Sequence, residues 1–257
     1  MIAINSAKPN QAALSFDNPS VHALDVAAEG VKEICVGRRM NRVLYCSTSC
    51  KTREDGRSAR QQAKAELVPL LLGRMHPKFA ASRFGGPDCA RCSSSIALSH
   101  GSLGRPVLYV DGRKGPSVSF SHVHGIVWAA MGLGSVGVGI DAAHGNEFQH
   151  SYPFDRAFHR DELLLCIGRC RNNRQEAAAM LWSVKEAAAK ALGCGFHLLD
   201  PLDLRVDPSS EADSTSAVLV RVGQTAADKA PCLTCTHVAV RIFRDSDYWV
   251  SVAVADL

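Results

Sequence analysis

The segment LWSVKEAAAKALGCG, residues 181–195, constrains this chain more than any other. Ala, Leu, Lys and Glu are strong helix formers, and Gly193 and Gly195 supply a stop. Helical spacing puts Trp182, Glu186 and Lys190 at i, i+4 and i+8 on one stripe, with Lys185 beside Glu186. Taken alone, the segment suits an exposed EAAAK-type helix with Glu186 and Lys190 as a surface pair. A second acidic segment upstream, Val138-Gly139-Ile140-Asp141, speaks for more, because it offers a carboxylate from a separate element.

The remaining patterns frame these two segments. Short strands are expected over 31–36 and 42–46, with a basic turn at Gly37-Arg38-Arg39. Residues 51–73 read as a helix. Arg53, Arg57, Arg60 and Lys64 form a basic stripe, Ala63, Leu67, Leu70 and Leu71 an apolar face, and Pro69 is expected to bend or shorten it. Residues 75–100 lack periodicity and read as a loop or insertion. Residues 107–110, 118–122, 126–131 and 136–141 read as strands, the last three as an antiparallel meander, followed by a polar loop over 142–150. Helical structure is expected over 154–170 and from Glu176 to Leu192, with a basic turn between. Strands follow over 202–206, 217–222, 237–243 and 248–254. The plan is α+β in two halves, 1–135 and 136–257. The literal match Gly132-x-Gly134-x-x-Gly137 is no dinucleotide fingerprint, because it opens a strand rather than a helix.

A net charge of +4 over 257 residues suits acidic or phosphate-bearing partners. The first 14 residues show no secretory pattern, and the most apolar run, 125–140, is interrupted by Gly132, Gly134, Gly137 and Gly139 and is short for a bilayer. A soluble, cytoplasmic, monomeric protein without nucleic-acid or membrane partners is the expectation. Ten cysteines include the close pairs Cys46/Cys50, Cys89/Cys92, Cys166/Cys170 and Cys232/Cys235. Two C-x-x-C pairs with His237 nearby keep open a zinc-stabilised interaction protein; reduced, buried thiols are the plainer reading.

Asp141 and Glu186 on separate elements, with Lys185 and Lys190 nearby, match the needs of magnesium-assisted phosphate chemistry. Mg²⁺ takes one or two carboxylates and leaves its other positions to water and phosphate. Ser121 and His122 on the neighbouring strand are candidate donors to phosphate, as are Arg105 and the basic stripe that includes Arg53 and Arg60.

Ser119-Phe120-Ser121-His122, Val138-Gly139-Ile140-Asp141 and Trp182-Ser183-Val184-Lys185-Glu186-Ala187-Ala188-Ala189-Lys190, preceded by Gly104-Arg105-Pro106, resemble the motif series of the 4′-phosphopantetheinyl transferases. The two-half, surfactin-synthetase-activating (Sfp-type) group is the nearer match. The resemblance covers about 104–197, is thin over 51–72 and is not evident before residue 45. It implies a pseudo-two-fold pair of similar α/β halves, with mostly antiparallel strands and packed helices. It also implies transfer of the phosphopantetheine arm of coenzyme A to a serine of an acidic acyl or peptidyl carrier protein, releasing 3′,5′-ADP. By the same resemblance, Asp141 and Glu186 would bind Mg²⁺, and Glu186 would help deprotonate the serine. Lys190, with Lys185 alongside, would stabilise the diphosphate. Arg105, Ser121 and His122 would contact coenzyme A, and 154–174 would face the carrier protein.

One position departs from the pattern. The family carries a second carboxylate two residues after the aspartate, on the same strand face; here that residue is Ala143. Glu147 and His144 are nearby substitutes without a spacing rule behind them. Ala143 keeps open a weakly active or inactive relative that binds coenzyme A or carrier protein without turnover.

Overall fold

The computed structural model describes residues 30–37, 41–49, 56–75, 96–101, 103–134, 136–149, 151–207, 217–224 and 235–256. In chain order these form β1 (Lys32–Val36), β2 (Asn41–Ser49), α1 (Gly56–Met75), β3 (Ile96–His100), β4 (Pro106–Val110), β5 (Arg113–Lys114), β6 (Val118–Val123), β7 (Ile126–Gly132) and β8 (Val136–His144). Then follow α2 (Phe154–Ala157), α3 (Arg160–Arg169), α4 (Arg174–Ala191), β9 (Leu204–Asp207), β10 (Ala217–Val222), β11 (His237–Asp245) and β12 (Tyr248–Asp256). The class is α+β, and every strand pair is antiparallel.

Two sheets stack face to face, and a long helix covers the outer side of each. The first sheet runs β1-β2-β7-β6 and the second β8-β12-β11-β10-β9, with a small β3-β4-β5 sheet at one side. Strand alternation divides the core into three layers. Leu44, Cys46, Val127, Ala129 and Met131 face α1, where they meet Leu67, Leu71 and Leu72. Val43, Tyr45, Trp128 and Ala130 face inward and meet Val138, Ile140, Val250 and Val252 of the second sheet. The far side of the second sheet, with Val220, Val238, Val240 and Ala253, lies against α4.

α4 is not the exposed helix its composition suits. Ala177, Ala178, Ala179, Leu181, Val184, Ala187, Ala188, Ala189 and Ala191 have no exposed surface. Short side chains allow close approach, and the closest is at Gly139 of β8, where a Cβ would collide with the Ala187 carbonyl oxygen and lie 2.7 Å from the Ala191 nitrogen. Asn173 caps the start, its side chain accepting from the Gln175 and Glu176 amides. Glu176 ties that end to the second sheet by accepting from Trp249 Nε1 at 2.8 Å and pairing with Arg244. The helix therefore begins two residues before the predicted Glu176. Trp182, Glu186 and Lys190 are the partly exposed positions from residue 182 to 190, as the stripe requires.

Four expectations are corrected. α1 runs through Pro69 to Met75, so the proline does not end it. Within the predicted 75–100 loop, residues 96–100 form β3, paired with β4. The expected meander is broken: β6 and β7 pair, but β8 leaves them to pair with β12 along its whole length, from Val136–Asp256 to His144–Tyr248. β8 continues to His144, so Ala142 and Ala143 lie in a strand rather than a polar loop. The glycine run is followed by a strand, β8, rather than a helix, as expected.

What holds β8 to β6 is a row of side chains. Ser117, Ser119 and Ser121 alternate along β6 and its approach, and their Oγ atoms accept from the amides of Val138, Ile140 and Ala142 at 3.2, 3.1 and 3.1 Å. Hydroxyls thus replace the backbone acceptors that a paired strand would present.

Candidate active site

Asp141 points from β8 toward α4, where Lys190 and Glu186 sit one turn apart. Lys190 Nζ lies 2.8 Å from Asp141 Oδ1, 3.1 Å from Glu186 Oε1 and 3.2 Å from the Ile140 carbonyl oxygen. Its three protons have three acceptors. Two carboxylates from separate elements thus converge on one cation. The Asp141 side chain is 5% exposed and that of Glu186 30%, so one acid is buried and the other faces solvent. Burial, partly offset by Lys190 and reinforced by Glu186, pushes the Asp141 carboxyl up to about 7. Lys190 is held above its ordinary range: the two carboxylates outweigh the cost of burying it.

Glu186 and Lys190 line a cleft of about 430 Å³. Lys64, Arg105 and Lys190 line it, with His100 and His197, and Phe120 and Phe196 add apolar wall. Lys64 lies 5.0 Å from the Phe120 ring, and burial beside Arg60 and Lys190 lowers its pKa. Arg105 donates to Ser117 Oγ at 3.2 Å, and its guanidinium rests on Gly193 after α4. A Cβ at Gly193, where φ is +80°, would come within 2.7 Å of that guanidinium.

The predicted residues divide into groups. Glu186, Lys190 and Arg105 line the cleft, and Asp141 is buried next to it against Lys190. His122 and Arg60 lie beside it: His122 is exposed on the α1 side of β6, and burial together with Arg60 and Lys64 lowers its pKa. Arg53 lies outside the described residues. Two residues are not where a phosphate contact would put them. Ser121 is buried, donating to Asp141 Oδ1 at 2.8 Å while accepting from the Ala142 amide, so its hydroxyl is engaged within the protein.

Lys185 is fully buried on the other side of α4. Its ammonium contacts Glu162 at 2.5 Å and the carbonyls of Ala157 and Pro201 at 3.0 Å each. Adjacent helix positions point about 100° apart, which separates Lys185 from the Glu186 stripe. Burial lowers its pKa, against the pull of Glu162. Lys185 is thus a pin between α3 and α4 rather than a cleft residue.

Ala143 is 1% exposed, paired with Trp249 and packed in the α4 core. The proposed substitutes are otherwise engaged. Glu147 Oε1 accepts from the His144 amide, and His144 Nδ1 accepts from the Asn146 amide, closing a reciprocal cap. Among the described residues no group of three or more His, Cys, Asp or Glu is arranged to hold a metal ion. Of the cysteine pairs, Cys166 and Cys170 are buried on or after α3, their thiols pushed up to about 12 and about 11 by burial. Cys50, Cys89, Cys92 and Cys232 lie outside the described residues. Sequence reading missed the cleft roles of His100, Phe196 and His197, which the β3–β4 pairing and the chain path after α4 bring together and no motif marks; Phe120 joins them from within the Ser-Phe-Ser-His segment of β6.

The donor set fits a hard divalent cation in one respect: Asp141 and Glu186 place oxygens within about 3 Å of a single positive centre, the Lys190 ammonium.

No curated protein matches the chain. Among solved structures it is similar to Helicobacter pylori holo-[acyl-carrier-protein] synthase in complex with coenzyme A, at 21% identity over 46% of this chain and 99% of that one, TM-score 0.38. It is similar to a Chronobacterium ammoniagenes ACPS–CoA complex at 23% identity, over 48% and 98% of the two chains, TM-score 0.38. A Thermotoga maritima holo-[acyl-carrier-protein] synthase matches at 24% identity, over 47% and 63%, TM-score 0.36. Residues 137–253, the segment that carries Asp141, Glu186 and Lys190, match the ACPS model of the 4′-phosphopantetheinyl transferase superfamily.

Proposed function

We propose that the protein transfers the 4′-phosphopantetheine arm of coenzyme A to a serine of an acyl or peptidyl carrier protein, with Mg²⁺, releasing 3′,5′-ADP. The observation that carries this reading is the convergence of Asp141 and Glu186 on Lys190 at a cation-lined cleft, inside the segment that matches the superfamily. Residues from both 64–120 and 186–197 line the cleft, which supports the two-half, surfactin-synthetase-activating type, and a monomer is proposed with it.

Asp141 and Glu186 would hold Mg²⁺, which when bound neutralises charge on the diphosphate. Lys190, Arg105 and Lys64 bind and orient the phosphates, with His122 and Arg60 at the rim. Glu186, the more exposed carboxylate, accepts the proton of the carrier serine. The serine oxygen attacks the β-phosphorus, the bridging P–O bond breaks, and its electrons leave on 3′,5′-ADP. Lys190 stabilises the charge as it shifts; such catalysis is mostly positioning and electrostatics.

The carrier would dock along 154–174. Leu164 and Leu165 of α3 are 58% and 57% exposed, and Arg160, Arg169 and Arg171 are exposed around them, a surface that suits an acidic partner with an apolar patch.

The test is the intact mass of an apo carrier protein after incubation with this protein, coenzyme A and Mg²⁺. A gain of one phosphopantetheine is expected. No gain from several carriers, while coenzyme A still binds, favours the inactive relative that Ala143 keeps open. Neither gain nor binding rejects the reading.

A further inference from the structure

The Ser-His motif resembles a phosphate-contacting element, yet the Ser121 hydroxyl is turned inward. It has one proton, which goes to Asp141 Oδ1 at 2.8 Å, and it accepts the Ala142 amide at 3.1 Å. It is 6% exposed, so donating to a ligand would leave a buried carboxylate short of a partner. Lys190 approaches the same Oδ1 at 2.8 Å. Among the described residues no hydrogen bond reaches Oδ2. Anchoring one carboxylate oxygen fixes where the other points.

We propose that Ser121 is a positioning residue: its hydroxyl orients the Asp141 carboxylate so that Asp141 and Glu186 can share one divalent cation. This rests on the reading of the site given above. Ser119 and Ser117 do not share the role. They make the same kind of bond to β8, to the amides of Ile140 and Val138, but touch no carboxylate. They hold the strand, and Ser121 holds the strand and the ligand. Partners behind a metal-binding side chain typically contribute 10–100-fold in metal affinity.

The experiment is Mn²⁺ binding by electron paramagnetic resonance, with coenzyme A present, on the parent, Ser121→Ala, Ser121→Thr and Ser119→Ala. Expected are about tenfold weaker Mn²⁺ binding in Ser121→Ala, parent-like binding in Ser121→Thr, which keeps the hydroxyl, and parent-like binding in Ser119→Ala even where its melting temperature falls. The KM for coenzyme A in Ser121→Ala should stay within about twofold of the parent, since uniform substrate contacts are untouched. If Ser121→Ala does not fold, Ser121→Cys carries the same expectation. The proposal is overturned if the parent binds no Mn²⁺, if Ser121→Ala binds it as the parent does, or if Ser119→Ala weakens binding equally. A raised KM for coenzyme A at unchanged Mn²⁺ affinity would instead make Ser121 a substrate contact. A transferase assay that fails while Ser121→Ala still loses Mn²⁺ affinity would reject the reaction and leave the positioning role standing.

Discussion

Gly139 of β8 lies against the backbone of Ala187 in α4, with no room between them for a methyl group. The contact is between main chains, so no side-chain rotation can relieve it. Gly139→Ala is expected to lift α4 from the sheet and cost about 1–3 kcal/mol or more. Because Asp141 is two residues from Gly139 and Glu186 precedes Ala187, the same displacement pulls the two carboxylates apart. Chemical denaturation and carrier modification should fail together; a variant of parental stability would contradict the close packing.

Asp141 is expected to lower stability in the absence of ligand. Its folded carboxyl titrates at about 7, against an ordinary value of 3.8. Below about pH 4 both states hold the proton. Between that point and pH 7 the unfolded chain releases it and the native protein keeps it, so stability falls as pH rises. Above pH 7 the penalty is constant. Asp141→Asn should therefore raise the melting temperature most above pH 7, and the gain should vanish toward pH 4, while transfer activity is lost. A gain that grows with acidity would reverse the sign.

The Lys185–Glu162 pair is expected to behave as a buried structural pair. Lys185→Met leaves Glu162 without its cation and should cost about 3–5 kcal/mol. Lys185→Met combined with Glu162→Leu should recover part of that loss. Urea unfolding of the single and double variants tests this. In folded material at low temperature, the KM for coenzyme A should change less than in Lys190→Ala, whose ammonium faces the cleft.

His122 should take up a proton when coenzyme A binds. Burial and the cations Arg60 and Lys64 lower its pKa in the free protein, and a phosphate among the three would raise it. Titration calorimetry near pH 6.5 in buffers of different ionisation enthalpy should show net uptake, absent in His122→Gln. Uptake unchanged in the variant would place the phosphate elsewhere.

Much of this was legible in the chain. The Trp182–Glu186–Lys190 stripe and the strands near the C-terminus follow from local periodicity, and the approach of Asp141 to α4 was legible only through the resemblance of the motif series. The departure of β8 from its meander was not legible, because side-chain hydroxyls stand where a backbone would, and serine spacing alone does not announce that. Nor was the fate of Lys185. Its neighbour in sequence is Glu186, but its partner is Glu162, on a helix that tertiary packing brings alongside. The surroundings of α4 show the same limit: alanine-rich composition is neutral between a solvated helix and one pressed between layers, and only Gly139 opposite decides.

The serine row has a bearing on how this chain could be divided. β8 is an outer strand of its sheet, and outer strands with free amides recruit other strands. Here the amides of Val138, Ile140 and Ala142 are covered by Ser117, Ser119 and Ser121 from the preceding half. A fragment beginning near residue 136 would carry an uncovered, apolar border and should self-associate through it. The three serines thus also shield the border of the strand that bears Asp141.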